Sequence, residues 1–137
     1  MNKRAIIEAR KRWEAHCRDV ESLTPVYISN ETLADKQKRI KSLLGYYDKF
    51  VQYYFPHYAK CACGQFQIKA ANKVRKQKNI KAAFKWARGH AKSTHVDIFF
   101  PLWLKALDEL NVMVLVGKSQ DNASTLLSDV QAELEYN

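Results

Sequence analysis

Apolar side chains along the first half of the chain recur every three or four residues, a spacing that places them on one face of an α-helix. The pattern predicts helices over about residues 2–22, 32–55 and 65–78. Pro25 and Pro56 follow the first two, and proline ends a helix because it has no backbone N–H to donate. The N-terminal part of the chain is therefore predicted to be helical.

The period of the pattern changes after residue 80. Ala82–Ala87 is a short, mostly apolar run and Val112–Val116 is continuous and rich in β-branched residues, so both are typical of buried strands. The segment between them returns to helical spacing, with Pro101 expected to kink or restart the helix, and a last helix covers about 122–136. A strand, a loop, a helix and a second strand in this order predict an α/β fold with two parallel strands and flanking helices.

The composition indicates a packed and basic domain. Of 137 residues, 47% are hydrophobic and only four are Gly, which excludes a disordered or low-complexity chain. Lys and Arg number 23 against 14 Asp and Glu, and no acidic residue occurs over 49–96. This charge favours a polyanionic partner such as nucleic acid, a nucleotide or an anionic membrane surface.

Cysteine content and hydropathy favour a cytoplasmic protein. The chain has three cysteines, too few for a disulfide framework, and its first residues lack the apolar stretch of a secretory signal. The longest apolar run, Ile98–Leu104, has seven residues, whereas a transmembrane helix needs about 20. His57, Cys61 and Cys63 do not follow a recognised zinc spacing, so free thiols are expected there.

A candidate phosphate-binding loop follows the first predicted strand, with Arg-Gly-His-Ala-Lys-Ser-Thr over residues 88–94 (loop 88–94). Such a loop wraps phosphate oxygens with backbone N–H groups, places a Lys near the β and γ phosphates and a hydroxyl on Mg²⁺, and points a helix N-terminus at the anion. Gly89, Lys92 and Ser93 supply these groups in order, although Trp and Ala occupy the two glycine positions of the standard motif. A basic surface turn is the alternative interpretation.

A second Gly-Lys-Ser run, at 117–119, also lies between a predicted strand and a helix. It directly follows Val116, so no four-residue loop is left to encircle a phosphate. Lys92 is therefore preferred over Lys118 as the phosphate ligand.

Loop 88–94 resembles the variant Walker A motif of phage terminase large subunits, the ATPases that drive DNA into viral capsids. The shared features are an Arg four residues before the Lys, a small residue directly before it and Ser-Thr after it. The aromatic run over 53–58 and the Phe66-Gln67 pair resemble the family's lead-in, in which an aromatic–Gln element contacts adenine. Val112–Val116 and the helix after it resemble the family's second strand and helix.

The resemblance covers about residues 50–137 and implies two parts: a helical N-terminal leader at 1–55 and a partial P-loop NTPase domain at 56–137. The acidic Walker B strand and the nuclease carboxylates of the family have no counterpart here. The chain therefore looks like the first half of an ATPase core, and its own turnover is expected to be slight or nil.

The ligands that the resemblance implies are ATP and Mg²⁺. Lys92 would neutralise the β and γ phosphates and Arg88 would stabilise charge near the γ-phosphate as the catalytic residues, while Ser93 or Thr94 would coordinate Mg²⁺. The other members of the predicted site cradle phosphate oxygens or contact adenine: Gly89, His90, Ala91, Phe66 and Gln67. His90 and His95 flank the loop, and solvent exposure is expected of both.

Two functions are expected from these observations. The first is the ATP-binding segment of a terminase large subunit that powers packaging of viral DNA in the host cytoplasm. Its implied partners are double-stranded viral DNA, the portal protein and the small terminase subunit. The alternative is a small basic helical module that binds nucleic acid through residues 49–92 without nucleotide. Self-association is also expected, because an incomplete sheet exposes apolar surface.

Overall fold

The computed structural model describes residues 3–23 and 30–137, and the helices account for its regular structure. It forms two compact units, one from the described parts of 1–26 and 115–137 (unit 1) and one from those of 27–114 (unit 2). The predicted boundary at residues 55 and 56 lies inside unit 2. The helices, in chain order, are α1 (Lys3–Leu23), α2 (Leu33–Leu44), α3 (Tyr47–Tyr54), α4 (Gln65–Lys76), the π-helix π1 (Thr94–Phe99), α5 (Phe100–Ala106) and α6 (Gln120–Tyr136).

The predicted α/β fold with two parallel strands is wrong, because no residue of the described chain belongs to a strand. Both candidate strands, Ala82–Ala87 and Val112–Val116, are irregular segments without a sheet partner. In the second, Val112, Val114 and Val116 are 78%, 79% and 88% exposed. The composition of the second segment is apolar and β-branched, but a strand also needs a neighbour that pairs its backbone groups, and no backbone hydrogen bond joins the two segments in the described chain.

Residues 32–55, predicted as one helix, form two. α2 ends at Leu44 and α3 begins at Tyr47. The indole Nε1 of Trp103 donates to the Leu44 carbonyl at 2.9 Å, so it satisfies one of the carbonyls that a helix C-terminus leaves free. The break is therefore held by a residue distant in sequence, which local periodicity does not reveal.

Trp103 is also the centre of the unit 2 core, with 0% of its surface exposed. The ring of Tyr47 meets it edge to face at 5.2 Å, and the Arg75 guanidinium lies 5.2 Å from its centroid on another side. Arg75 is fixed by an ion pair with Glu109 at 3.0 Å. Through these contacts the α5 tryptophan joins α3 and α4.

Helical backbone continues from Lys92 through π1 and α5 to Ala106. The Phe100 N–H donates to the His95 carbonyl, five residues back, so the turn is wider than in an α-helix. Pro101 follows directly. The change of register lies where the sequence indicates a kink or restart, because proline cannot supply the next backbone donor.

In unit 1, α1 packs against α6. The buried apolar residues there are Cys17, Val20, Val130 and Ala132. Trp13 and Tyr136 meet edge to face with centroids 6.4 Å apart. The Ser119 hydroxyl caps α6 by accepting from the Asn122 N–H.

Replacing Trp103 tests this account of the unit 2 core. Trp103→Ala removes a fully buried ring and the donor to Leu44, so we expect a loss of about 4 kcal/mol in the free energy of unfolding. Val112→Ala, at an exposed apolar position, is the control and should change it by less than about 0.5 kcal/mol. Urea unfolding followed by circular dichroism measures both, and a Trp103→Ala loss similar to that of the control would contradict the assignment.

Candidate phosphate-binding loop and its cavity

The backbone of loop 88–94 turns sharply just before a helix. Gly89 has φ +86° and Ala91 has φ +50°, both left-handed, a conformation that glycine adopts freely and alanine adopts at a cost of about 1–2 kcal/mol. The His90 N–H lies 3.4 Å from the Ala87 carbonyl and closes the turn. Helical backbone then begins at Lys92.

This conformation is suited to an anion. The first N–H groups of a helix have no partner within it, and they carry the positive end of the helix dipole. Successive residues of alternating backbone handedness also turn neighbouring N–H groups toward one side. The two features meet where Ala91 leads into Lys92.

A cavity of about 310 Å³ lies against the loop. Gly89, Ala91 and Thr94 line it on the side of the loop, and Cys63 and Phe66 line it near the start of α4. Its volume is at the lower end of the range for small-molecule sites. A group the size of a heterocyclic base fits such a space next to the loop.

Gln67, predicted to contact adenine, ties the loop to α4. Its side chain is 8% exposed. The amide Nε2 donates to the His90 carbonyl at 3.0 Å, and Oε1 accepts from the Gly64 N–H at 2.7 Å. Both ends of the amide therefore bind backbone, so Gln67 positions the loop, and a bond to a ligand would use its second amide proton or lone pair.

Phe66, its predicted partner, forms an aromatic wall beside the loop. Its ring meets those of Trp86 at 5.1 Å and His90 at 5.5 Å, both edge to face. These geometries are favourable for aromatic pairs. Phe66 and Gln67 therefore both contact loop 88–94, and their role in binding adenine stays a prediction.

The predicted phosphate ligands lie at the start of the helix. Lys92 and Ser93 are its first two residues and are exposed, whereas Thr94 is half-buried. Arg88 is exposed in the loop. Burial raises the pKa of the Asp97 carboxyl, and the positive charge of Lys92 partly opposes that rise. Lys92 is therefore close enough to Asp97 to interact with it electrostatically.

The competing Gly-Lys-Ser run at 117–119 is closely packed at its glycine. A Cβ on Gly117 would lie 2.6 Å from the Ala123 backbone nitrogen. The Lys118 N–H already donates to Asn122 Oδ1 at 3.3 Å. This loop is therefore packed against the first turn of α6, and one of its N–H groups is already bonded.

The prediction that His95 is exposed is wrong, because the side chain is only 5% exposed. Its Nδ1 lies 2.6 Å from the Tyr47 hydroxyl. Burial lowers the pKa of His95 to about 4 and raises the pKa of Tyr47. Both groups are therefore neutral at pH 7. The position of His95 three residues before the buried Ile98 is the sequence signal for this inward placement.

Two of the three cysteines, Cys61 and Cys63, line the cavity. No group of three or more metal-ligating side chains occurs within residues 3–23 and 30–137. Burial raises the pKa of the Cys63 thiol to about 11, so it stays protonated and is a weak nucleophile or ligand.

In the same described ranges, no helix has the length and apolar character required to cross a bilayer.

Gln67→Leu tests whether this amide holds the loop. It leaves the Gly64 N–H and the His90 carbonyl without their partners, so we expect a loss of about 2 kcal/mol in the free energy of unfolding. Gln65→Leu, at an exposed position two residues earlier in α4, should lose less than about 0.5 kcal/mol. Urea titration provides the comparison, and equal stability of the two variants would exclude the bracing role.

Comparisons with protein-family models, with curated proteins and with solved structures find no match to this chain. The resemblance to terminases therefore rests on loop 88–94 and the residues around it.

Proposed function

We propose that unit 2 binds the phosphates of a nucleoside triphosphate, ATP with Mg²⁺, at loop 88–94. The observation that carries this proposal is the pair of left-handed residues, Gly89 and Ala91, directly before the helical backbone that starts at Lys92. They place partner-free N–H groups beside a cavity of about 310 Å³. The chain would act as the ATP-binding segment of a terminase large subunit, in packaging of viral DNA.

The exposed side chains of the loop fit a charged ligand. The Lys92 ammonium supplies a positive charge to the β and γ phosphates, and Arg88 supplies a second one near the γ-phosphate. Ser93 and Thr94 offer hydroxyl oxygens, which Mg²⁺ accepts as ligands. When bound, Mg²⁺ would neutralise charge on the phosphates.

The same arrangement favours binding over turnover. The residues that line the cavity include no Asp or Glu, so the lining has no carboxylate to activate water or to hold a metal ion. The side chain of Asp97 is close to Lys92, but burial raises its pKa and so makes it a poorer metal ligand. Portal protein, small terminase subunit and viral DNA remain the partners that this proposal implies.

Lys92→Ala tests the proposal, with Lys118→Ala as a control that removes the same charge from the other Gly-Lys-Ser run. Loss of a charged donor to phosphate should weaken binding of Mg²⁺-ATP at least tenfold. The control should bind within about twofold of the original chain, because Gly117 is packed against α6 and the Lys118 N–H already donates to Asn122. Isothermal titration calorimetry at low salt measures both.

Equal weakening by the two variants would show that only net charge matters and would contradict a site at the loop. No heat and no shift in melting temperature with the unmodified chain at millimolar Mg²⁺-ATP would overturn the proposal itself. A ligand at 100 times its Kd adds about 2.7 kcal/mol of stability, which a melting curve resolves easily.

Nucleic-acid binding is a second candidate, favoured by the charge on α4. Lys69, Lys73 and Lys76 are spaced four and three residues apart and are all exposed, so they form a basic stripe on one helix face. No ion pair engages them in the described chain. Unit 2 as a whole carries 16 basic and six acidic residues over 27–114. Such a surface suits a phosphate backbone.

Changing the α4 stripe to Gln tests this second function. The affinity for DNA falls with salt, and the slope of log affinity against log salt concentration reports the number of phosphates contacted. The triple variant Lys69→Gln, Lys73→Gln and Lys76→Gln should make that slope shallower by the equivalent of up to about three contacts. Lys36→Gln, Lys38→Gln and Lys41→Gln on α2 together remove the same charge and should leave the slope nearly unchanged. Fluorescence anisotropy over a salt series gives both slopes, and matching slopes for the two triples would refute a defined surface on α4.

A further inference from the structure

His95 has one ring nitrogen in use and one left over. Its Nδ1 is bonded to the Tyr47 hydroxyl at 2.6 Å. Its Nε2 has no hydrogen-bond partner among the described residues, although the residue is 5% exposed and lines the cavity. Nε2 keeps some exposure of its own, so a ligand or a water molecule can reach it and form a hydrogen bond with it.

The Tyr47 hydroxyl determines which nitrogen carries the proton. Both residues are neutral, because burial lowers the pKa of His95 and raises that of Tyr47. Tyr47 is only 1% exposed, and its hydroxyl has no other acceptor among the described residues. The hydroxyl therefore donates to Nδ1, and the proton of the neutral ring is on Nε2. His95 therefore presents a neutral N–H donor at a fixed position.

Aromatic neighbours hold the imidazole in this orientation. The Phe99 ring meets it edge to face at 5.0 Å, and the Trp86 ring does so at 6.0 Å. Tyr47 lies on α3, whereas His95 and Phe99 lie on π1. The donor is thus set by packing before any ligand arrives, which lowers the entropic cost of binding.

The side chains that line the cavity suit a heterocyclic base better than a phosphate group. Its lining beside His95 is mostly apolar and aromatic, including Tyr58, Phe66 and Phe99. A neutral imidazole has no positive charge to attract a phosphate group. Lys92 and the start of the helix supply positive charge at the loop instead. A heterocyclic base has flat apolar faces and acceptor atoms on its edge, which match an aromatic lining with one donor.

We propose that His95 Nε2–H donates a hydrogen bond to an acceptor atom on the base of the nucleotide whose phosphates bind at loop 88–94. This assignment rests on the proposed function and adds the base-recognition residue to it. The ligand class is a nucleotide whose base enters the cavity edge first, with a ring nitrogen or carbonyl oxygen toward His95.

Two substitutions separate the two ring nitrogens. His95→Asn keeps an acceptor for the Tyr47 hydroxyl near the Nδ1 position and removes the Nε2 donor. His95→Gln keeps an N–H donor near the Nε2 position and gives up the Nδ1 acceptor. ATP and inorganic triphosphate are the two probes, because only ATP carries a base. Melting curves confirm that both variants fold.

We expect His95→Asn to weaken ATP binding by roughly tenfold, while His95→Gln stays within about threefold of the unmodified chain. Neither variant should change the affinity for inorganic triphosphate. Calorimetry gives the affinities of both probes for the unmodified chain and for the two variants. ATP binding unchanged in His95→Asn, or lost equally in both variants, would overturn the role of Nε2–H.

The triphosphate probe keeps this result apart from that of the proposed function. If triphosphate binds the unmodified chain and His95→Asn has no effect on ATP, the phosphate site stands and base recognition by His95 is refuted. If neither probe binds the unmodified chain, the phosphate site is refuted and the assignment of His95 falls with it.

Discussion

The proposed site depends on one constraint, the two backbone hydrogen bonds of the Gln67 amide. They connect the first turn of α4 at Gly64 with the carbonyl of His90 in the middle of loop 88–94. The loop contains Ala91 in a left-handed conformation, which is unfavourable unless other contacts hold it. A nearly buried amide that binds backbone on both sides supplies such a contact. The conformation that presents N–H groups to an anion therefore depends on α4 more than on the loop's own sequence.

The helix that begins at Lys92 links this loop to the core of unit 2. The first buried side chain in it is His95, whose Nδ1 bonds to Tyr47 on α3, and farther along Trp103 bonds to the end of α2. The wide π turn between these residues sets their relative rotation, since each residue of a π-helix turns through a smaller angle than in an α-helix. π-helical turns occur frequently at functional sites, and this one carries the residue to which we assign base recognition.

The spacing of apolar residues predicted several helices of this fold but missed the features that depend on contacts between residues distant in sequence. Periodicity located α1, α4 and α6 within a few residues, because each has a continuous apolar face. It joined α2 and α3 because the break depends on Trp103, nearly 60 residues away. The pattern predicted a strand at Val112–Val116, because apolar and β-branched composition indicates a preference for extended backbone and says nothing about a partner strand. For the site, the resemblance to terminases grouped Phe66 and Gln67 with the loop, and their contact with a ligand stays a prediction, whereas the donor on His95 follows only from packing.

The missing sheet changes how a ligand would act on this chain. In a phosphate loop between a strand and a helix, the sheet holds the loop in place before binding. Here the preceding residues, Ala82–Ala87, have no strand partner, so the contacts of loop 88–94 with Gln67, Phe66, the Ala87 carbonyl and the helix start hold it in place. A triphosphate that bonds to the loop's N–H groups would stabilise that conformation directly. Binding and local stability should therefore be strongly coupled, and part of the intrinsic affinity would be spent on ordering the loop.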